Sequence, residues 1–277
     1  MASQNGSRSL LVAVDVDGTI LHADNTISDA VVQAVREASA AGHTVTLATG
    51  RSWETAMPVL ESLGIEPEYL VCANGALIMR RDTDEPSGYR RHLIETFDPT
   101  EVLEAIRPHL ADGRYMVEYP NGFRRYTDGM EDWYLENAEQ AEFEELLSEP
   151  VTRVVVVSPG HDEQEFLTMV EKIGLHQVTY SIGWTAWLDI APLGVNKSTA
   201  LERVRSWLDI PIDRVVVVGD GRNDIEMFEW AGPRGRAVAM GQAPDEVKAA
   251  ATEVTGSIEE DGLVPVLQSL PSVAARD

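Results

Sequence analysis

Four groups of residues in this 277-residue chain have the types and spacing for chemistry on a charged substrate. Asp15-Val16-Asp17-Gly18-Thr19 sets two carboxylates two residues apart, ahead of a glycine that permits a tight turn. Thr49-Gly50-Arg51 offers a hydroxyl and an unobstructed backbone N–H, both suited to phosphate oxygens. Lys197 falls at the start of a helical stretch, where N–H groups favour anions. Gly219-Asp220-Gly221-Arg222-Asn223-Asp224 adds two carboxylates and an amide. Asp15, Asp17, Asp220 and Asp224 are oxygen donors only, which suits Mg²⁺. A cation, a hydroxyl and a metal around a nucleophilic carboxylate make a phosphoryl-transfer site. Taken singly, each group has a plainer reading: a turn and N-cap, a helix-entry loop, a solvated lysine. Arg51 reads equally as a substrate contact or as half of a structural ion pair.

The elements around these groups decide whether they can meet. Leu10–Val16, Thr44–Ala48, Tyr69–Cys72 and Arg214–Val218 are short, mostly apolar runs, as buried parallel strands require. Helical stretches separate them: Ser28, an N-cap, to Ala41, then Trp53–Leu63, Asn196–Leu208 and Asp224–Trp230. A strand at Arg236–Met240 and helices at Ala243–Ala250 and Ile258–Leu267 close the chain. Three of the polar groups follow the carboxyl ends of apolar strands, where open α/β sheets bind ligands. Between about 82 and 187 the pattern changes to a separate α+β unit. Pro120-Asn121-Gly122 marks a hairpin between Tyr115–Tyr119 and Phe123–Thr127. Helices are expected at Pro99–Leu110, Ala138–Leu147 and from Asp162 to Ile173, with strands at Thr152–Ser158, Gln177–Ile182 and Ala186–Ile190. The expected architecture is a doubly wound, Rossmann-like α/β core (1–81 and 188–277) split by an inserted α+β cap (82–187).

Composition excludes several functions. Lys+Arg 22 against Asp+Glu 46 gives a net charge of −24, which argues against binding nucleic acid or anionic membranes. Nineteen basic residues are arginine and three are lysine, so Lys197 in register is notable. The single cysteine, Cys72, has the apolar flanks of a buried strand residue. No apolar run reaches the roughly 20 residues of a membrane span, and the first residues lack a signal peptide's pattern, so a cytoplasmic location is expected. The paired arginines at the start of the insertion and within it, Arg80-Arg81, Arg90-Arg91 and Arg124-Arg125, could read a second anionic group, but balance by acidic neighbours such as Asp82 is the simpler reading. Trp184, Trp187, Tyr115 and Tyr119 could line a pocket, though core packing suits most aromatics better.

In order and kind, DVDGT at Asp15–Thr19, Thr49-Gly50-Arg51, Lys197 and GDGRND at Gly219–Asp224 resemble the four motif elements of the haloacid dehalogenase superfamily. The long insertion, with Ala73-Asn74-Gly75-Ala76 before it and Gly194-Val195-Asn196-Lys197 after it, is similar to the α/β cap of its Cof-type branch. Ser198 stands where that family often has glycine. The resemblance implies that Asp15 is the nucleophile and that Asp17 is the general acid and base, its carbonyl also binding Mg²⁺. It implies Asp220 as a metal ligand with Asp224 in support. Thr49, Gly50, Lys197 and Asn223 would hold the phosphoryl group. The activity so implied is Mg²⁺-dependent hydrolysis of small phosphorylated metabolites, sugar phosphates first; a monomer or weak homodimer is expected. A phosphomutase using the same intermediate and a phospho-aspartate signalling module are the alternatives.

Overall fold

A computed structural model describes residues 9–110, 112–127, 130, 137–160, 163–175, 178–182 and 187–273. Before the insertion lie β1 (Leu11–Val14), α1 (Asp29–Ala40), β2 (Thr44–Leu47), α2 (Trp53–Leu63) and β3 (Tyr69–Cys72). Then come β4 (Leu77–Arg81), β5 (Tyr89–Ile94), α3 (Thr100–Ile106), β6 (Arg114–Glu118), β7 (Arg124–Tyr126), β8 (Ala138–Gln140) and β9 (Arg153–Val157). The chain continues through α4 (Glu163–Ile173), β10 (Val178–Ile182), β11 (Trp187–Pro192), α5 (Lys197–Trp207), β12 (Val215–Gly219) and α6 (Ile225–Ala231). It ends with β13 (Arg236–Ala239), α7 (Asp245–Ala250), β14 (Glu253–Val254) and α8 (Leu263–Gln268).

The first sheet runs β14-β13-β12-β1-β2, every pair parallel. Its central strands are apolar on both faces because both faces are covered. Val12, Val14, Val216 and Val218 pack with α1, α2 and α8, while Leu11, Ala13, Val215 and Val217 pack with α5, α6 and α7. Ser28 caps α1 as expected, accepting from the Val31 N–H. This is the anticipated α/β core.

Four elements differ from expectation. β3 runs parallel to the end of β2, with the Thr46 hydroxyl donating to the Tyr69 carbonyl and a lone bridge from Ala48 to Val71, and its full ladder is antiparallel with β4 in a three-stranded sheet β3-β4-β5. β5 lies within the span assigned to the insertion, yet Tyr89 packs in the core cluster and its hydroxyl donates to the Pro67 carbonyl. The helix expected over Ala138–Leu147 is instead β8 followed by a 3₁₀ turn at Phe143–Leu147. Here β7 offers an open edge, parallel pairing satisfies the backbone, and Arg125 meets Glu139 across the strands. The final helix is broken at Asp261, in the left-handed region, so a 3₁₀ turn (Ile258–Glu260) precedes α8.

The second large sheet runs β10-β11-β9-β6-β7-β8 and carries its own core of Tyr115, Val117, Tyr119, Val154, Phe166 and Leu188 among others. The hairpin at Pro120-Asn121-Gly122 joins β6 to β7 in antiparallel register, with Gly122 at φ 82°. Trp184 and the expected element starts at Asp162, Gln177 and Ala186 lie outside the described residues. Cys72 is fully buried at the end of β3, and burial pushes its thiol upward. Among the described residues no helix is long and apolar enough to cross a membrane.

Candidate active site

Parallel strands β1 and β12 end side by side, and the Asp15 N–H donates to the Val218 carbonyl at 2.9 Å. That pairing delivers the first and last motifs to one place. Oxygens of Asp15, Asp220 and Asp224 lie within 4.8 Å of one another, all three residues being buried. Lys197 opens α5 and is fully buried, its Nζ donating to Asp15 Oδ1 at 2.7 Å and to Asp224 Oδ1 at 2.6 Å. Asp224 Oδ2 accepts from the N–H groups of Asp220 and Gly221, each at 2.9 Å. Gly18 has φ 75°, and a Cβ there would overlap the Asp220 carboxylate, so the turn after Asp17 needs glycine.

One ammonium faces three buried carboxyl groups, so full ionisation would leave the cluster two negative charges in surplus. Burial raises the Asp15 carboxyl well above its ordinary value; Lys197 opposes this, and Asp224 and Asp220 add to it. Burial, then Asp224, pushes Asp220 up to about 7. Burial alone would lower the Lys197 pKa, but Asp15 and Asp224 outweigh it and hold the ammonium charged. Oxygen-only donors with an uncompensated charge of this size fit a hard divalent cation.

The remaining candidates form a second line along the edge. Thr49 is buried, its N–H donating to the Val71 carbonyl and its Oγ1 accepting from the Arg51 N–H, both at 3.0 Å. Gly50 lies beside the Asn74 amide. Asn223 Nδ2 donates to Asn74 Oδ1 at 3.0 Å. The Asp17 side chain turns away from the other three carboxylates. It accepts from Arg51 Nε at 2.8 Å and from Nη2 at 2.6 Å, and it is more than half exposed. Arg51 also reaches Asn25 at 3.1 Å and borders a half-open groove of about 550 Å³ lined by Leu21, Ile27, Thr55 and Pro58.

Three participants went unassigned in the sequence. Asn74, in the left-handed region at φ 49°, touches both Asn223 and Asp189. Gln242 Nε2 donates to the Gly18 carbonyl at 2.6 Å and to Asp220 Oδ2 at 3.2 Å. Glu54 on α2 accepts from Arg91 of β5 at 2.8 Å and from Arg124 of β7 at 2.7 Å, and Arg124 also meets Glu118 at 3.2 Å. Asn74 stood in a quoted motif without a role; Gln242 and Glu54 carry no local signal. The paired arginines are engaged by acidic groups: Arg80 by Glu68, Arg81 by Glu66, Arg90 by Asp82 and Arg125 by Glu139.

Comparison with known proteins gives the family and the fold. The family profile described as haloacid dehalogenase-like hydrolase matches residues 12–267. The chain is 26% identical over 269 residues to the 5-amino-6-(5-phospho-D-ribitylamino)uracil phosphatase YitU of Bacillus subtilis, covering 95% of this chain and 97% of that one. It is 27% identical over 269 residues to the HMP-PP phosphatase of Yersinia enterocolitica, covering 93% and 94%. The solved subclass IIB sugar phosphatase BT4131 shares the fold, with a TM-score of 0.78 at 22% identity, covering 94% of this chain and 98% of that one.

Proposed function

Since the chain belongs to the haloacid dehalogenase-like hydrolases, we propose that it is a Mg²⁺-dependent phosphatase of small phosphorylated metabolites, sugar phosphates first. The observation that carries this reading is the Asp15–Lys197 pair at 2.7 Å inside a buried, oxygen-only cluster with surplus negative charge. Relatives named as phosphatases of HMP-PP and of a phosphoribitylamino-uracil support a small-molecule substrate.

In this reading an Asp15 carboxylate oxygen attacks phosphorus and the bond to the leaving oxygen breaks. Asp17, once out of the Arg51 fork and carrying a proton taken up from water, gives that proton to the leaving oxygen, so the alcohol departs neutral. The Asp17 carboxylate then takes a proton from water, whose oxygen attacks the aspartyl-phosphate, releasing phosphate and restoring Asp15. The Arg51 pair with Asp17 has to open for this step. Thr49, Gly50, Lys197 and Asn223 hold the phosphoryl oxygens. Asp15, Asp220 and the Asp17 carbonyl would hold Mg²⁺, with Asp224 in support, since its oxygens already serve Lys197 and two N–H groups. Bound there, the ion neutralises charge on the phosphoryl group and on the cluster. The unit expected at 82–187 acts as the cap that selects the leaving group.

The test is a panel of phosphorylated metabolites assayed for inorganic phosphate. Release from sugar phosphates, lost on chelation, is expected; isomer formation in the presence of a bisphosphate would instead indicate a mutase. Asp15→Asn should lower turnover by about 10⁴-fold or more while the variant stays folded, because an amide is a poor nucleophile. Normal release by that variant would remove Asp15 from its role.

A further inference from the structure

We propose that Asp189, on the second large sheet, and Asn74, in the turn after β3, are positioning residues that fix the direction of the Asn223 amide. The inference rests on the reading that Asn223 holds the transferring phosphoryl group. Asp189 sits on β11, where Arg153 of β9 grips it through Nε to Oδ1 at 2.7 Å and Nη2 to Oδ2 at 2.9 Å. Asn74 Nδ2 donates to the same Oδ2 at 2.6 Å. All three residues are buried.

The polarity of this chain runs one way. A carboxylate clamped by a guanidinium can only accept, so Asn74 must turn its NH₂ toward Asp189. Its carbonyl oxygen therefore faces Asn223 and accepts from Asn223 Nδ2 at 3.0 Å. One N–H of Asn223 is thereby committed, and the second, in the same plane, has its direction set. That second N–H is the donor available to a phosphoryl oxygen. Without an acceptor-only group at 189, both amides could flip, and one of the two arrangements presents a carbonyl oxygen to the phosphoryl group. The backbone contributes as well: the Asn74 N–H donates to the Thr49 carbonyl at 3.0 Å, and a Cβ on Gly75 would overlap the Asn196 carbonyl, one residue before Lys197.

Two variants test the relay in the full-length, Mg²⁺-loaded protein. Asp189→Asn keeps the shape and removes the acceptor-only group. Asn74→Gly leaves the Arg153–Asp189 pair intact and tolerates the left-handed backbone. The readouts are calorimetric affinity for orthovanadate, which imitates the five-coordinate phosphoryl group, and kcat against KM on p-nitrophenyl phosphate. Both variants should weaken vanadate and lower kcat by about tenfold, with KM moving far less. Combined with Asn223→Ala, neither should add to the loss that Asn223→Ala causes alone. Additive losses, or wild-type vanadate affinity in both variants, would overturn the relay. If Asn223→Ala itself leaves vanadate affinity unchanged, the assignment of Asn223 fails and the relay with it.

Discussion

Burying an ammonium group completely is costly unless charge meets it, and Lys197 meets two carboxylates, at 2.7 and 2.6 Å. That geometry leaves no room for a broader cation. Lys197→Arg should lose about 10²-fold in kcat/KM although the charge is kept, since a planar fork displaces either Asp15 or the phosphoryl group. Lys197→Met should cost on the order of 3–5 kcal/mol of stability by leaving its partners unpaired, read from melting curves in chelator. Near-normal activity in the arginine variant would reduce Lys197 to a long-range charge. Lys197, Asp15 and Asp220 were legible in the sequence because each stands at a strand end or helix start in the right order. Asn74 was not, because its partner Asp189 lies 115 residues away and nothing local to either residue announces the pair.

Among the elements, β5 shows where sequence reading of an insertion runs out. The change of pattern at about residue 82 is visible in the sequence, but an antiparallel return onto β4 looks the same there as the first strand of a new unit. Only packing separates them: the Tyr89 ring lies tilted against Trp53 with centroids 5.3 Å apart and joins the core. Removing residues 82–187 therefore takes, along with every strand of the second large sheet but β11, a core strand. Removing 96–187 spares it and should give a product that melts several degrees higher, since losing Tyr89 alone costs about 3 kcal/mol in a packed site. Equal melting points would place β5 outside the core. Both truncations strip Arg153 from Asp189, so both should lose more activity than an open site alone would explain. β8 teaches the complementary lesson: residues of fair helix propensity became a strand because β7 offered an unpaired edge.

For the whole molecule, the strand order made the fold class readable, since alternating apolar strands and helices leave few ways to bury both sheet faces. The crowding of charge at the carboxyl ends of β1 and β12 is not readable in the sequence, because it depends on burial. It makes stability depend on pH. Asp220 rises from 3.8 in the unfolded chain to about 7 in the folded one, so between those values folding takes up a proton. Stability should therefore fall as pH climbs toward 7 and level off above it, by at most about 1.4 kcal/mol per pH unit. Glu253, held low by Arg236, acts with the opposite sign, at pH near and below its ordinary 4.5. Thermal melts in chelator should show the decline, and Asp220→Asn should flatten it. Mg²⁺ should raise the melting point more at pH 8 than at pH 5, where protons compete for the same oxygens. An unchanged profile in Asp220→Asn would shift the effect to Asp15. Cys72 has a separate, practical consequence. It is the chain's one thiol, fully buried and held in its protonated form, so alkylating dyes will pass it by. Cysteines introduced at the exposed positions Glu61 on α2 and Glu104 on α3 would then be the reactive pair. Fluorescent labels there would report the distance between the two sheets during turnover, with no native residue to remove first.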